Sequence, residues 1–190
     1  MEWLDERTIK LDKELNDLDL FTLRVTRVIS KYSEYVLVSG YVSILFGNSR
    51  TSEDIDIVIQ KISKDKFLSL FQDLERTGFW PVNVNDKEEL FEMLNDNLSI
   101  RFADKEKVIP NVEIKIVKDA LDTLAIKNRV KVNTAEGPLY VADIALQIAY
   151  KEEVLKSNKD LEDAEYLRRL FRIPEEKINK WRTIIHQYGR

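Results

Sequence analysis

One run of the chain, Val36 to Ile59, constrains its fold more than any other. It reads Val36-Leu-Val-Ser39-Gly40-Tyr41-Val-Ser43-Ile-Leu-Phe-Gly47-Asn-Ser49-Arg50-Thr51-Ser52-Glu53-Asp54-Ile-Asp56-Ile-Val-Ile59. A buried strand, a tight glycine turn, a short helix, a polar loop and a second strand follow in order. Residues i and i+2 of a strand point to one face and lie roughly 7 Å apart along it. Asp54 and Asp56 therefore share a face near the start of a strand that continues with Ile57, Val58 and Ile59. Two adjacent anions repel, and a site that keeps them is suited to a divalent cation such as Mg²⁺, which favours carboxylate oxygens and shares them with substrate phosphates.

The third acid is Glu113, in Val112-Glu113-Ile114-Lys115-Ile116-Val117. Alternation puts Glu113 and Lys115 on one face and Val112, Ile114 and Ile116 on the other. If this strand lies beside that of residues 54–60, Glu113 joins Asp54 and Asp56. Three such carboxylates can hold two divalent ions about 3.5–4 Å apart, the arrangement of in-line phosphoryl displacement. The plainer reading of Glu113 is a strand residue paired with Lys115 or Arg101.

Composition narrows the chemistry. With 190 residues, 44% hydrophobic and 34% charged, the chain is globular and suits one domain or a catalytic domain with a small extension. A net charge of −4 argues against broad coating of nucleic acid. With no Cys and one His, His186, any metal must be held by oxygen. Met1-Glu-Trp-Leu-Asp-Glu-Arg7 lacks the apolar core of a signal peptide, and no apolar run approaches a membrane span. The expected location is the cytoplasm, with no membrane partner.

Periodicity predicts an N-terminal helix over 3–31, a strand over 35–39 and a helix over 41–46. It then predicts the Asp-bearing strand over 54–60, helices at 64–76 and 87–95, and strands at 79–84, 98–102 and 111–117. Pro81 marks the 79–84 strand as an edge. A short helix at 120–126 precedes short strands near 131–134 and 139–140, then helices near 141–156, 159–172 and 175–187. The expected fold is α/β with a short mixed sheet flanked by helices. It divides into an N-terminal helix (1–33), an α/β core (34–120) and a mainly helical segment packed on it (121–190).

Residues 37–59 resemble the core motif of the polymerase-beta-like nucleotidyltransferase superfamily: a small pair, a helix, Asp-x-Asp on a strand and a later third carboxylate. The form Arg50-Thr51-Ser52-Glu53-Asp54-Ile55-Asp56 is most similar to the AbiEii-like toxins and related small nucleotidyltransferases, and residues 141–170 resemble their helical segment. The resemblance implies a nucleotidyltransferase fold that moves NMP from an NTP to an acceptor hydroxyl and releases pyrophosphate. It also implies catalytic and metal-holding roles for Asp54, Asp56 and Glu113, with Mg²⁺ or Mn²⁺. Nucleotide contacts would come from Ser39, Gly40, Arg50, Ser52, Lys115, Lys151, Lys159 and Asp160. The acceptor stays open between an RNA end, a protein and a small molecule, and so does the protein partner, between an antitoxin and a second copy.

The chain departs from the family pattern at three points. Its small pair is Ser39-Gly40, its third carboxylate is Glu, and Gln147 stands where the family has a Lys. These departures motivate a second reading, a nucleotidyltransferase fold that no longer catalyses and serves as a nucleotide-binding or protein-interaction module. Arg50 has its own alternative, a surface pair with Glu53.

Overall fold

The structure, a computed structural model, describes residues 1–188. Its centre is three strands: β3 (Tyr35–Val38), β4 (Asp54–Ile59) and β7 (Asn111–Ile116). β3 and β4 pair antiparallel, and β4 and β7 pair parallel. In that register Asp54 lies beside Asn111, Asp56 beside Glu113 and Val58 beside Lys115. Alternation then sorts the side chains. Tyr35, Leu37, Ile55, Ile57, Ile59, Val112, Ile114 and Ile116 form an apolar face, all of them buried. Val38, Asp54, Asp56, Glu113 and Lys115 share the opposite face.

Helices α1 (Asp17–Ile29), α3 (Lys64–Arg76) and α4 (Lys87–Asn95) belong to the apolar side. α3 presents Phe67, Leu70, Phe71 and Leu74, at helical spacing, to the core. Phe71 meets Phe102 of β6 (Ile100–Asp104) with centroids 6.0 Å apart. Phe21 of α1 meets Phe79 of β5 (Phe79–Pro81) at 5.5 Å. Each helix begins at a side-chain cap: Asn16, Ser63 and Asp86 accept backbone N–H groups of the first turn. β5 is an edge strand, as Pro81 requires, although it ends at Pro81 rather than reaching Val84.

The chain departs from expectation at its N-terminus. In place of one helix over 3–31 stand β1 (Glu2–Asp5), β2 (Thr8–Lys10) and then α1. The apparent helical spacing was counted across a turn at Glu6-Arg7. Trp3 and Leu4 are exposed, whereas Ile9 is buried beside Val132 of β8 (Val130–Thr134). The helix proper starts where Asn16 and Asp19 satisfy each other's backbone N–H groups, at 2.9 and 3.1 Å. The expected short sheet is consequently a mixed sheet of nine strands, ordered β1-β2-β8-β9-β3-β4-β7-β6-β5, with β9 spanning Gly137–Val141. Strands from all three expected segments of the chain share it.

On the other side, α5 (Ala120–Lys127) packs against β3 and β4. The C-terminal part is α6 (Ile144–Tyr150), a π-helical turn (Lys151–Leu155), α7 (Asn158–Phe171) and α8 (Glu175–Gln187). α2 (Gly40–Leu45), buried throughout, touches both β4 and α7 and so ties the tail to the sheet. No helix among the described residues is long and apolar enough to cross a membrane.

The N-terminal strands predict a contrast. Ile9→Ala removes a fully buried side chain and is expected to cost about 2–5 kcal/mol. Leu4→Ala, at an exposed position, is expected to change stability by less than about 0.5 kcal/mol. Urea denaturation of the two variants checks this, and equal losses would contradict the strand assignment.

Candidate functional site

The register of β4 and β7 delivers the three acids to one face, and the side chains then settle how they are used. Asp54 accepts a hydrogen bond at Oδ1 from Asn111 Nδ2 (2.6 Å). Asp56 accepts one at Oδ1 from Lys115 Nζ (3.2 Å). The second oxygen of each has no hydrogen bond among the described residues. Glu113 differs: Oε1 pairs with Lys115 at 2.5 Å, and Oε2 accepts from Arg101 Nε and Nη2 at 2.9 and 2.5 Å. Lys115 thus spans Asp56 and Glu113. Among the described residues no three His, Cys, Asp or Glu side chains stand together as metal ligands. The three-carboxylate cluster expected from the sequence is therefore not assembled. The cations on the same face, Lys115 and Arg101, offset the charge of Glu113, as its plainer reading holds. Asp54 and Asp56 each keep one oxygen without a hydrogen bond among the described residues, whereas Glu113, with both oxygens engaged, does not complete a three-carboxylate site.

The charges follow this geometry. Burial alone would raise the Glu113 carboxyl, but hydrogen bonds from Lys115 and Arg101 outweigh it and hold the group below its ordinary 4.5. Burial would lower Lys115, but Glu113 and Asp56 hold it above 10.5.

The turn before α2 forms the second wall. Ser39 has φ +65° and ψ −146°, a backbone region that is nearly glycine-only and costs about 1–3 kcal/mol for other residues. A Cβ on Gly40 would meet Arg50 Nη2 at 3.0 Å and Cζ at 3.2 Å, so glycine is what lets the guanidinium lie over the start of α2. Arg50 is held there by an ion pair to Asp163, not to Glu53. Its Nε is buried without a partner. Ser52 donates to the backbone carbonyl of Asp54 at 2.9 Å and braces the entry to β4.

Asp163, fully buried, anchors a polar cluster that the sequence reading missed. It accepts from Ser43 Oγ (2.6 Å), Asn48 Nδ2 (2.9 Å) and Lys151 Nζ (2.9 Å) in addition to Arg50. Lys151 also bonds Asp160 at 3.0 Å. Lys151 is fully buried, so it serves this cluster and does not reach outward to a nucleotide. Asp160 is tied to Lys151 and Ser157, and Lys159 is exposed on α7 with no ion pair among the described residues. The signal for Asp163 was present in the Lys159-Asp160-x-x-Asp163 helix start, but its partners on α2 come from tertiary packing.

Between α5, α6 and the acidic face of the sheet opens a cleft of about 530 Å³. Ser39, Asp56, Lys115 and Lys118 line its polar part, and Leu121, Leu146, Tyr150 and Leu155 its apolar part. Lys118 and Tyr150 are also residues the sequence reading did not assign. Asn111, beside Asp54, is a third; its position two residues before Glu113 on the same face was the available signal.

No family model matches the chain, and neither does any curated protein. Solved structures do. A nucleotidyltransferase-like antigenic protein of Paracoccidioides brasiliensis aligns over 80% of this chain and 74% of its own, at 16% identity and TM-score 0.50. The lincosamide antibiotic adenylyltransferase LnuA, with lincomycin bound, aligns over 82% and 98%, at 14% identity and TM-score 0.50. ANT(2″)-Ia in complex with adenylyl-2″-tobramycin aligns over 90% and 98%, at 13% identity and TM-score 0.51. The chain has the nucleotidyltransferase fold.

Two expectations follow from the ion pairs. Asp163→Ala strands Lys151 and Arg50 without their shared anion and is expected to cost about 3–5 kcal/mol, whereas Lys151→Met with Asp163→Leu is expected to cost far less than the two single changes summed. Chemical denaturation of the three proteins measures this. For Glu113 the sign is that of a depressed carboxyl: its contribution is full above the unfolded pKa and is lost as pH falls through the folded one. The melting-temperature gap between wild type and Glu113→Gln should hold steady between about pH 6 and 9 and close below 4.5.

Proposed function

We propose that the chain is a nucleotidyltransferase that binds an NTP in this cleft, with the triphosphate at Ser39, Asp56 and Lys115, and transfers NMP to an acceptor hydroxyl. The observation that carries the reading is the pair Asp54 and Asp56 on one face of β4, with Asp56 and Ser39 lining a cleft that has lysines at its polar end. The fold supports it, because the similar structures include two antibiotic adenylyltransferases.

In this reading Asp54 and Asp56 would hold one Mg²⁺ or Mn²⁺, which would supply charge neutralisation to the triphosphate. Lys115, fixed between Asp56 and Glu113, adds a second positive charge at the same place, and Lys118 a third at the rim. The acceptor oxygen forms a bond to the α-phosphorus as the bond from that phosphorus to the bridging oxygen breaks, and pyrophosphate leaves. Glu113 orients Lys115. Both oxygens of Glu113 are engaged by Lys115 and Arg101, so the acceptor's proton passes to water. Catalysis is then positioning and charge neutralisation in the main. Among the acceptors left open, a small-molecule hydroxyl is favoured over an RNA end. The similar adenylyltransferases act on antibiotics, and the chain's net charge of −4 suits an RNA backbone poorly. A toxin-type role with an antitoxin partner rests on the AbiEii-like motif alone.

The engagement of both Glu113 oxygens by Lys115 and Arg101 favours a second reading, a nucleotide-binding module without turnover. The experiment that tests both is a thermal-shift titration with ATP, GTP, CTP and UTP, with and without Mg²⁺ or Mn²⁺, alongside a pyrophosphate-release assay against a panel of hydroxyl acceptors. The expected result is a metal-dependent stabilisation of about 2.7 kcal/mol at one hundred times Kd, absent in Asp54→Ala/Asp56→Ala, together with pyrophosphate release. Binding without release across the panel supports the module. Absence of any metal-dependent shift up to millimolar NTP sinks both readings.

A further inference from the structure

One buried polar side chain in the cleft has no work to do inside the protein. Gln147, on α6, is 5% exposed, and its side chain lines the cleft with Ser39, Asp56 and Lys115. Among the described residues its amide makes no hydrogen bond. Its amide atoms are not sealed inside the protein; they open on the cleft, within reach of a bound molecule. The polar groups around it are instead paired within the protein. Asp143, one turn earlier, caps α6 through Leu146 N–H at 3.0 Å and accepts from Trp181 Nε1 at 2.9 Å. Lys151, one turn later, has both Asp160 and Asp163. Gln147 alone on this helix keeps a free donor and a free acceptor, and they face a cavity large enough for a nucleoside.

The amide is also neutral. The charged end of the cleft is already supplied with Lys115 and Lys118, while the helix that carries Gln147 adds the apolar walls Leu146 and Tyr150. A neutral group offering one donor and one acceptor side by side, set in an apolar wall, matches the edge of a heterocyclic base rather than a phosphate. Glutamine meets adenine in this way, donating to a ring nitrogen and accepting from the exocyclic amine.

We propose that Gln147 is a specificity-determining residue that hydrogen-bonds the donor–acceptor edge of the nucleobase of the bound NTP, and so sets which NTP the cleft prefers. The proposal rests on the reading of the cleft as an NTP site. Sites built to hydrogen-bond a ligand reject analogues that leave their polar groups unpaired, so one buried amide is enough to impose a preference.

The test compares wild type with Gln147→Met, which keeps the length of the side chain and removes both hydrogen-bonding groups. Binding of ATP, GTP, CTP, UTP and inorganic tripolyphosphate is measured by calorimetry in the presence of Mg²⁺. In the variant the preferred NTP is expected to weaken roughly 10- to 100-fold and the spread among the four NTPs to collapse, with tripolyphosphate affinity unchanged within about twofold. The ligand-free variant is expected to melt no lower than wild type, because no internal hydrogen bond is lost. Equal weakening of tripolyphosphate would move Gln147 to the phosphates and overturn the proposal, and so would an unchanged preference. In wild type alone, the Gln147 side-chain amide resonance should shift on adding the preferred NTP and stay in place with tripolyphosphate; the reverse pattern overturns the proposal whether or not the variant folds. Failure of wild type to bind any NTP overturns the NTP-site reading itself, an outcome distinct from NTP binding that ignores Gln147.

Discussion

The parallel register of β4 on β7 is the constraint on which the rest depends. It sets Asp54 beside Asn111 and Asp56 beside Glu113, and in the same stroke sends Ile55, Ile57, Val112 and Ile114 into the core. Because side chains alternate with period two, a slip of one residue would bury the acids and expose the isoleucines. The hydrophobic effect therefore fixes the site's geometry: fully burying each of those aliphatic side chains is worth about 1.5–3 kcal/mol, far more than the repulsion between exposed carboxylates. The acids are where they are because their neighbours must be inside.

The tail is attached by a different force. Asp163 gathers Ser43 and Asn48 from α2 and its following loop, Arg50 from the approach to β4, and Lys151 from the π-helical turn. Burying such a cluster gives little net stability over an apolar equivalent, since desolvation offsets most of the attraction. What it supplies is orientation. The guanidinium of Arg50 is seated over Gly40, and α7 is held against α2, so the C-terminal helices that wall the cleft are indexed to the turn that begins it.

Legibility in the sequence followed the range of the forces involved. β4 and β7 could be read because strict alternation reports a face directly, and α3, α4 and α5 because helical periodicity is a local signal; in the structure Ser63, Asp86 and Asp119 cap their starts. Pro81 identified an edge. The N-terminal strands could not be read, because strands of three or four residues carry too few positions to show a period. β2 exists through its long-range pairing with β8. The same limit governed the site. Asp54, Asp56 and the face of Glu113 were visible, but the capture of Glu113 by Arg101 and Lys115 was legible only as one of two alternatives. The burial of Lys151 depended on docking of α7 that no local pattern encodes.

The places where local rules fail also converge. Natural sequences are consistent across levels, and violations concentrate where function requires them. Ser39 holds a positive φ without being glycine, and Gln147 opens its amide on the cleft without a hydrogen bond among the described residues; both line that cleft. Among the described residues Asn111 Oδ1, Arg50 Nε and Arg182 Nε are buried without hydrogen bonds, the first beside Asp54, the second over Gly40 and the third on α8. Lys156 and Arg172, which also have positive φ, are ordinary left-handed residues at helix ends and carry no such meaning. Strain at Ser39 and unsatisfied atoms at Arg50 and Asn111 thus gather around the turn and strand that carry the candidate site, while Arg182 Nε on α8 stands apart from them.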